Sequence, residues 1–197
     1  MISALNSIYN LEKRKRIIDV YKKTQNFNKT VNLTEMPIPV VFYILRSQNL
    51  LTSLDKINYG SESAMLGGEA EKMFQKLVPE AIDANRYIRV NNPEYDFLYK
   101  DLTIDVKYSG KLIRKNTQYW NVRTDGKQDI IVIFLERERG SKIKNPCILF
   151  IPTMFITTKS HITVSENGKY FKNFLVGPED LEQLLDEYAE LREKGMF

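Results

Sequence analysis

The chain has 197 residues, 43% of them hydrophobic and 27% charged, and 29 Lys and Arg against 25 Asp and Glu give a net charge of +4. That composition supplies a core for one α/β domain, or for a compact domain with a small appendage, and does not fit a disordered chain. A single cysteine, Cys147, and a single histidine, His161, exclude an internal disulfide, a multi-thiolate zinc site and a histidine-metal cluster, which leaves carboxylates as the metal ligands.

No apolar run reaches membrane-spanning length, and Met1-Ile2-Ser3-Ala4 lacks the charged-then-apolar order of a secretory signal, so a soluble cytoplasmic protein without a membrane partner is expected. A helix is predicted from Asn10 to Thr24, with Leu11, Ile17, Ile18 and Tyr21 as its apolar stripe and Lys13, Arg14, Lys15 and Arg16 at its basic start. Polar Gln25-Asn26-Phe27-Asn28 interrupts it. A short helix over Lys29–Leu33 and a third from Pro37 or Pro39 to Asn49 follow. These segments, with Met36-Pro37 in the turn and Val40-Val41-Phe42-Tyr43-Ile44-Leu45-Arg46 in the last helix, resemble a helix-turn-helix unit. The turn lacks the usual glycine, and Arg46 is the one basic residue of the candidate recognition helix. DNA contact and a packing or dimerisation role therefore both stand as readings. Ser53–Ser63, polar and containing Gly60, reads as a linker or the start of the second domain, giving a helical subdomain over 1–58 and a second domain over 59–197.

A strong amphipathic helix is expected over Ser63–Leu77, with Met65, Leu66, Ala70, Met73, Phe74 and Leu77 buried and Glu69 and Glu71 on it. Strands are predicted at Asn85–Val90, Tyr95–Leu98, Leu102–Tyr108, Trp120–Val122, Ile130–Glu136 and Cys147–Ile156. Ile162–Ser165 and Tyr170–Leu175 flank Asn167-Gly168 as a further hairpin. An amphipathic helix over Pro178–Lys194 buries Leu181, Leu184, Leu185, Tyr188 and Leu191 and ends at Gly195.

The densest chemistry lies in Pro93–Ser109. Tyr99-Lys100-Asp101 suits a tight turn between the two strands, and alternation places Thr103, Asp105 and Lys107 on one face and Leu102, Ile104 and Val106 on the other. Asp96 approaches from the partner strand. Two carboxylates beside a fixed ammonium suit a divalent cation and an anionic substrate.

The order of a glutamate on a helix, Asp96 at the start of a hairpin and Asp105-Val106-Lys107 at its end resembles the PD-(D/E)xK nuclease superfamily, over about Gly67 to Phe134. The resemblance implies an α/β restriction-endonuclease-like core, a central mixed β-sheet flanked by helices, beside the N-terminal helical subdomain. It implies the catalytic set Glu71, Asp96, Asp105 and Lys107, with Glu69 as fallback for the helical acid and Gln118 as a loosely matching polar residue on a following helix. Asp129 opens a later buried strand in family order. Magnesium, for which manganese substitutes, is then held by Asp96, Asp105, the carbonyl of Val106 and Glu71, where it polarises a phosphodiester and activates water. Lys107 orients that water or stabilises the charge of the transition state.

The implied function is a magnesium-dependent DNA endonuclease of restriction, homing, junction-resolving or phage DNA-processing type, acting on double-stranded or branched DNA as a homodimer. The alternative is a DNA-binding regulator or assembly factor on an inert nuclease-like scaffold. Candidate DNA contacts are Lys13, Arg14, Lys15, Arg16, Arg46, Lys111, Arg114, Lys115 and Arg123. His161 reads as a surface or packing residue, Trp120 with Tyr119 as core, and Cys147 as a buried small apolar residue.

Overall fold

The computed structural model describes residues 11–48, 50–51, 62–87, 94–115, 117–157 and 160–197, and the chain divides into two compact units, Met1–Met65 and Leu66–Phe197. The domain boundary expected at 58/59 lies outside the described residues. Among the described residues no helix is long and apolar enough to cross a membrane.

In the first unit α1 (Leu11–Thr24) buries Ile17 and Tyr21, one helical turn apart, and leaves Leu11 exposed. Helix α2 (Phe27–Thr34) starts two residues before the expected Lys29, because the Asn26 side chain caps it by accepting from the Lys29 N–H at 3.0 Å. Glu35 ends α2 in the left-handed region at φ 54° and donates its N–H to the Val31 carbonyl, so a glutamate fills the glycine position of this turn. Pro37 leads into α3 (Ile38–Ser47), where Val40, Val41, Ile44 and Leu45 close a core with Ile17, Tyr21 and Phe27.

The second unit is a mixed α/β structure on a central six-stranded sheet flanked by helices. Its strands are β1 (Ile82–Asp83), β2 (Phe97–Tyr99), β3 (Leu102–Ser109), β6 (Ile130–Leu135), β7 (Cys147–Pro152) and β9 (Leu175–Val176), in spatial order β1-β2-β3-β6-β7-β9. The β3–β6 pair is parallel and the other pairs are antiparallel. Between β3 and β6 the chain builds a second sheet from β4 (Leu112–Arg114) and β5 (Thr117–Arg123), joined by β8 (His161–Ser165).

Strand alternation sorts the two faces. Ile104, Val106, Ile130, Val132 and Phe134 pack on one side with Ala70 and Phe74 of α4 (Glu62–Leu77) and with Leu181 and Leu185 of the C-terminal helix α7 (Leu181–Glu193). Ile131, Ile133, Leu135, Leu149 and Ile151 pack on the other with Trp120, Val122, Ile162 and Val164 of the second sheet. The all-apolar β6 is buried at every residue, as expected for a strand covered on both faces.

Four expectations are corrected. Asn85 belongs to a one-turn helix, α5 (Ala84–Tyr87), rather than to a strand; the Ala84 N–H bonds the Asp96 carbonyl at 2.9 Å as the β1 pairing ends, and residues 88–90 lie outside the described residues. Strand β7 stops at Pro152, where Thr153–Phe155 turns as a 3-10 helix and the Thr153 N–H bonds the Asp129 carbonyl at 2.9 Å. Tyr170–Leu175 does not form a hairpin strand: Lys169–Phe174 is helix α6, which stacks Phe171 on Trp120 with ring centroids 5.5 Å apart. The aromatic content of that segment suggests a strand, yet its helical spacing delivers Tyr170, Phe171 and Phe174 together to the core. Gln118 lies on β5, not on a helix, because the β3-to-β6 crossover is a strand hairpin whose Trp120 and Val122 are its buried side.

Candidate active site

The β2–β3 hairpin turns through Lys100-Asp101, with Lys100 at φ 50°, and pairs Tyr99 with Leu102, Leu98 with Thr103 and Phe97 with Ile104. Asp96 then leaves the ladder. Its N–H still bonds the Ile104 carbonyl at 2.9 Å, but its carboxylate, not a backbone carbonyl, takes the next rung by accepting the Val106 N–H at Oδ2, 2.9 Å. The Asn85 amide lies 3.5 Å from the other oxygen. Since the N–H and C=O of a strand residue point to the same edge, the Val106 carbonyl is directed along the edge that Asp96 occupies.

Asp105 and Lys107 stand two residues apart on the opposite face from the α4 core, and the Lys107 ammonium pairs with Asp105 Oδ1. Asp105 is 6% exposed, unusually buried for an aspartate. Burial pushes its carboxyl up to about 7, the Asp96 charge adds to that, and Lys107 opposes it. For Lys107, burial pulls the ammonium down, but the carboxylates of Asp105, Asp96 and Glu71 outweigh it and hold the group above the usual lysine value. The charge of Glu71, half-buried on α4, thus reaches Lys107 from a different element.

The donor set suits a hard cation. Asp96 and Asp105 offer carboxylate oxygens and Val106 a carbonyl, the ligand types magnesium takes when one or two carboxylates and several waters complete its shell. Among the described residues no three His, Cys, Asp or Glu side chains gather into a metal-holding group.

The remaining candidates scatter. Gln118 faces the same side of β5 as Trp120 and pairs with Ile113 in the second sheet. Lys111 is drawn inward, its ammonium donating to the Arg137 carbonyl at 2.7 Å and lying 5.3 Å from the Trp120 ring centroid. Arg114, Lys115 and Arg123 are exposed on the second sheet and its β4–β5 turn. In the first unit Lys13, Lys15, Arg16 and Arg46 are exposed and Arg14 is half-buried; the Arg16 guanidinium donates to the Leu33 carbonyl at 3.1 Å. His161 is exposed on β8, Cys147 is buried, and Trp120 is buried with its indole N–H on the Glu136 carbonyl at 3.0 Å.

Sequence reasoning missed how the hairpin is held in place: it named Asp129 only as the opening of a buried strand, and Gln128 and Arg192 not at all. Asp129 Oδ2 accepts from the Thr103 N–H at 2.8 Å and from its hydroxyl at 2.6 Å and also pairs with Arg192, fastening β3 to the start of β6 and to α7. Gln128 donates to the Glu94 carbonyl two residues before Asp96. Asn85, whose amide lies 3.5 Å from Asp96 Oδ1, opens what reads as a strand. The partners in these bonds are 11 to 63 residues apart (Asn85 to Asp96, Asp129 to Arg192), and no local pattern marks them.

No family model matches the chain, and no curated protein matches it. Among solved structures, it is similar to the bacterial homing endonuclease I-Ssp6803I at 14% identity and a TM-score of 0.46, over 67% of this chain and 99% of that one.

Proposed function

We propose that this protein is a magnesium-dependent endonuclease of the PD-(D/E)xK type that hydrolyses DNA phosphodiester bonds. The observation that carries the reading is the Asp96–Val106 contact at 2.9 Å, which sets a carboxylate at the edge of the strand whose opposite-facing rungs are the paired Asp105 and Lys107. Phosphodiester hydrolysis needs an anion neutralised, a water deprotonated and a leaving oxygen stabilised, and the residues divide that work. Asp96, Asp105 and the Val106 carbonyl would hold magnesium, which when bound supplies Lewis acidity and a lowered pKa of its water.

Lys107 has a different task. Its ammonium, kept charged by three carboxylates, donates hydrogen bonds to the attacking water and to the non-bridging phosphate oxygen that gains charge. Glu71 supports that charge from α4 and, within this reading, orients a second water. The exposed basic face of α1, with Lys13, Lys15 and Arg16, supplies phosphate contacts that carry no base preference. A break in both strands needs two such sites, so a second copy of the chain is part of the proposal.

The test uses the purified chain with supercoiled plasmid, linear duplex, single strand and a four-way junction, each with magnesium and with chelator. Magnesium-dependent cleavage of at least one substrate is expected, lost in Asp105→Ala and in Lys107→Ala with DNA affinity largely kept. Binding without cleavage on every substrate would replace the enzyme by a DNA-binding factor.

A further inference from the structure

The second sheet is buried on one face only. Trp120, Val122, Ile162 and Val164 point into the core, so alternation turns Thr117, Asn121 and Arg123 of β5 and His161 and Thr163 of β8 outward, with Arg114 of β4 on the same side through its pairing with Thr117. All six are exposed, and none of the outward positions of the three strands carries an Asp or Glu. Such a face is unusual in its chemistry. A merely solvated sheet face typically mixes both charge signs, whereas this one carries guanidinium, amide, hydroxyl and imidazole groups, with Tyr119 and the exposed Leu112 between them.

The rungs are ordered across the strands. Arg123 stands opposite His161 and Asn121 opposite Thr163, whose hydroxyl bonds the Asn121 side-chain oxygen at 3.0 Å and holds the amide in one orientation. The face also adjoins the candidate site, since the Ser109 hydroxyl, two residues beyond Lys107 on β3, donates to the Asn121 carbonyl at 2.9 Å.

We infer that the outward face of the β4-β5-β8 sheet reads base edges in the major groove of duplex DNA, with Arg123 and Asn121 as the specificity-determining residues and Thr163 positioning Asn121. This rests on the nuclease reading for its substrate class and adds to it the surface that selects sequence. Arginine pairs bidentately with guanine and asparagine with adenine, so these two side chains carry base information that a lysine patch lacks. The dimensions agree. Successive outward rungs of a strand lie about 7 Å apart, close to two base-pair steps. Strand β4 runs beside only Thr117–Tyr119, leaving Val122–Arg123 paired to β8, and a two-stranded ribbon enters a groove about 12 Å wide. The deep, narrow major groove of A-form RNA does not admit it.

The experiment selects from a pool of DNA duplexes with a randomised centre, using the full chain in chelator so that nothing is cut, and compares wild type with Asn121→Ala, Arg123→Lys and Thr163→Val. Wild type is expected to enrich a motif. Arg123→Lys keeps the charge but loses the fork, so it should relax one base position by roughly five- to hundredfold while affinity for unrelated duplex changes less than about threefold. Asn121→Ala should relax a neighbouring position, and Thr163→Val the same position more weakly. Enrichment of no motif by wild type, an unchanged motif in both Asn121→Ala and Arg123→Lys, or tighter binding to an RNA duplex would overturn the inference. Magnesium-dependent plasmid cleavage is measured alongside: cleavage with an unchanged motif sinks base reading alone, and a shifted motif without cleavage sinks the nuclease reading while base reading stands.

Discussion

Strands β3 and β6 lie side by side in parallel register, Asp105 beside Ile131 and Lys107 beside Ile133, and they use the same face in opposite ways. Strand β6 spends it on packing against the second sheet, with Ile131 and Ile133 fully buried. Strand β3 places there a nearly buried carboxylate and an ammonium. Removing each ion from water costs several kcal/mol, and their mutual attraction does not reliably return it. A strand selected for stability would carry isoleucines at 105 and 107 as its neighbour does at 131 and 133. The charged rungs are a burden on the fold, and the proposed nuclease function gives a reason for keeping them there.

The contrast is broken most severely through activity. Lys107→Ala is expected to lower plasmid cleavage per folded molecule by roughly a thousandfold or more, the scale of removing a transition-state donor. Ile133→Ala should leave cleavage per folded molecule nearly unchanged, with the folded fraction followed by circular dichroism. Equal loss in the two variants would erase the distinction between the strands.

Stability should rank them the other way. Ile131→Ala or Ile133→Ala is expected to cost about 2–5 kcal/mol in urea unfolding, the usual range for truncating a buried aliphatic side chain. Lys107→Met, which leaves Asp105 without its partner, should cost less, about 1–2 kcal/mol, because the lysine side chain is 34% exposed and water screens part of the pair. Adding Asp105→Val to that variant should recover the loss or exceed it. A double variant less stable than Lys107→Met would mean that the pair supports the fold.

The smallest effect is in the pH dependence of metal-free stability. The Asp105 carboxyl titrates near 7 in the folded chain, raised by burial, against about 3.9 unfolded, so the folded state binds more protons between these values. Its contribution to stability is complete below about pH 4 and is lost as pH rises through about 7. Urea midpoints of wild type relative to Asp105→Asn should therefore fall across that window. A flat difference would place Asp105 in an ordinary ionised state.

Much of this was readable in the residues. The alternation of Leu102-Thr103-Ile104-Asp105-Val106-Lys107 separates an apolar back, which packs on Ala70 and Phe74, from a charged front. The apolar run of β6 and the stripe of α7 read equally well, because burial on one face or two imposes a period that survives in sequence. The failures share a cause. At Tyr170–Leu175 and Asn85 tertiary packing overrides local propensity: α6 stacks Phe171 on Trp120, and the segment at Asn85 coils as Asp96 ends the β1 pairing. Gln118 lies on a strand because the crossover between parallel β3 and β6 is built as the β4–β5 hairpin, whereas the family resemblance places that polar residue on a helix.

The order of residues along the hairpin was enough to say that Asp105 and Lys107 share a face and that Asp96 lies across from them, since strand geometry has a period of two and the turn sets the register. It could not say that Asp96 would occupy a backbone rung at Val106, that the second sheet would pack on the face carrying Asp105, or that the charge of Glu71 would reach Lys107. Those relations depend on contacts between residues far apart in the chain. Desolvation and Coulomb interaction follow distance in space, which only the packed structure sets.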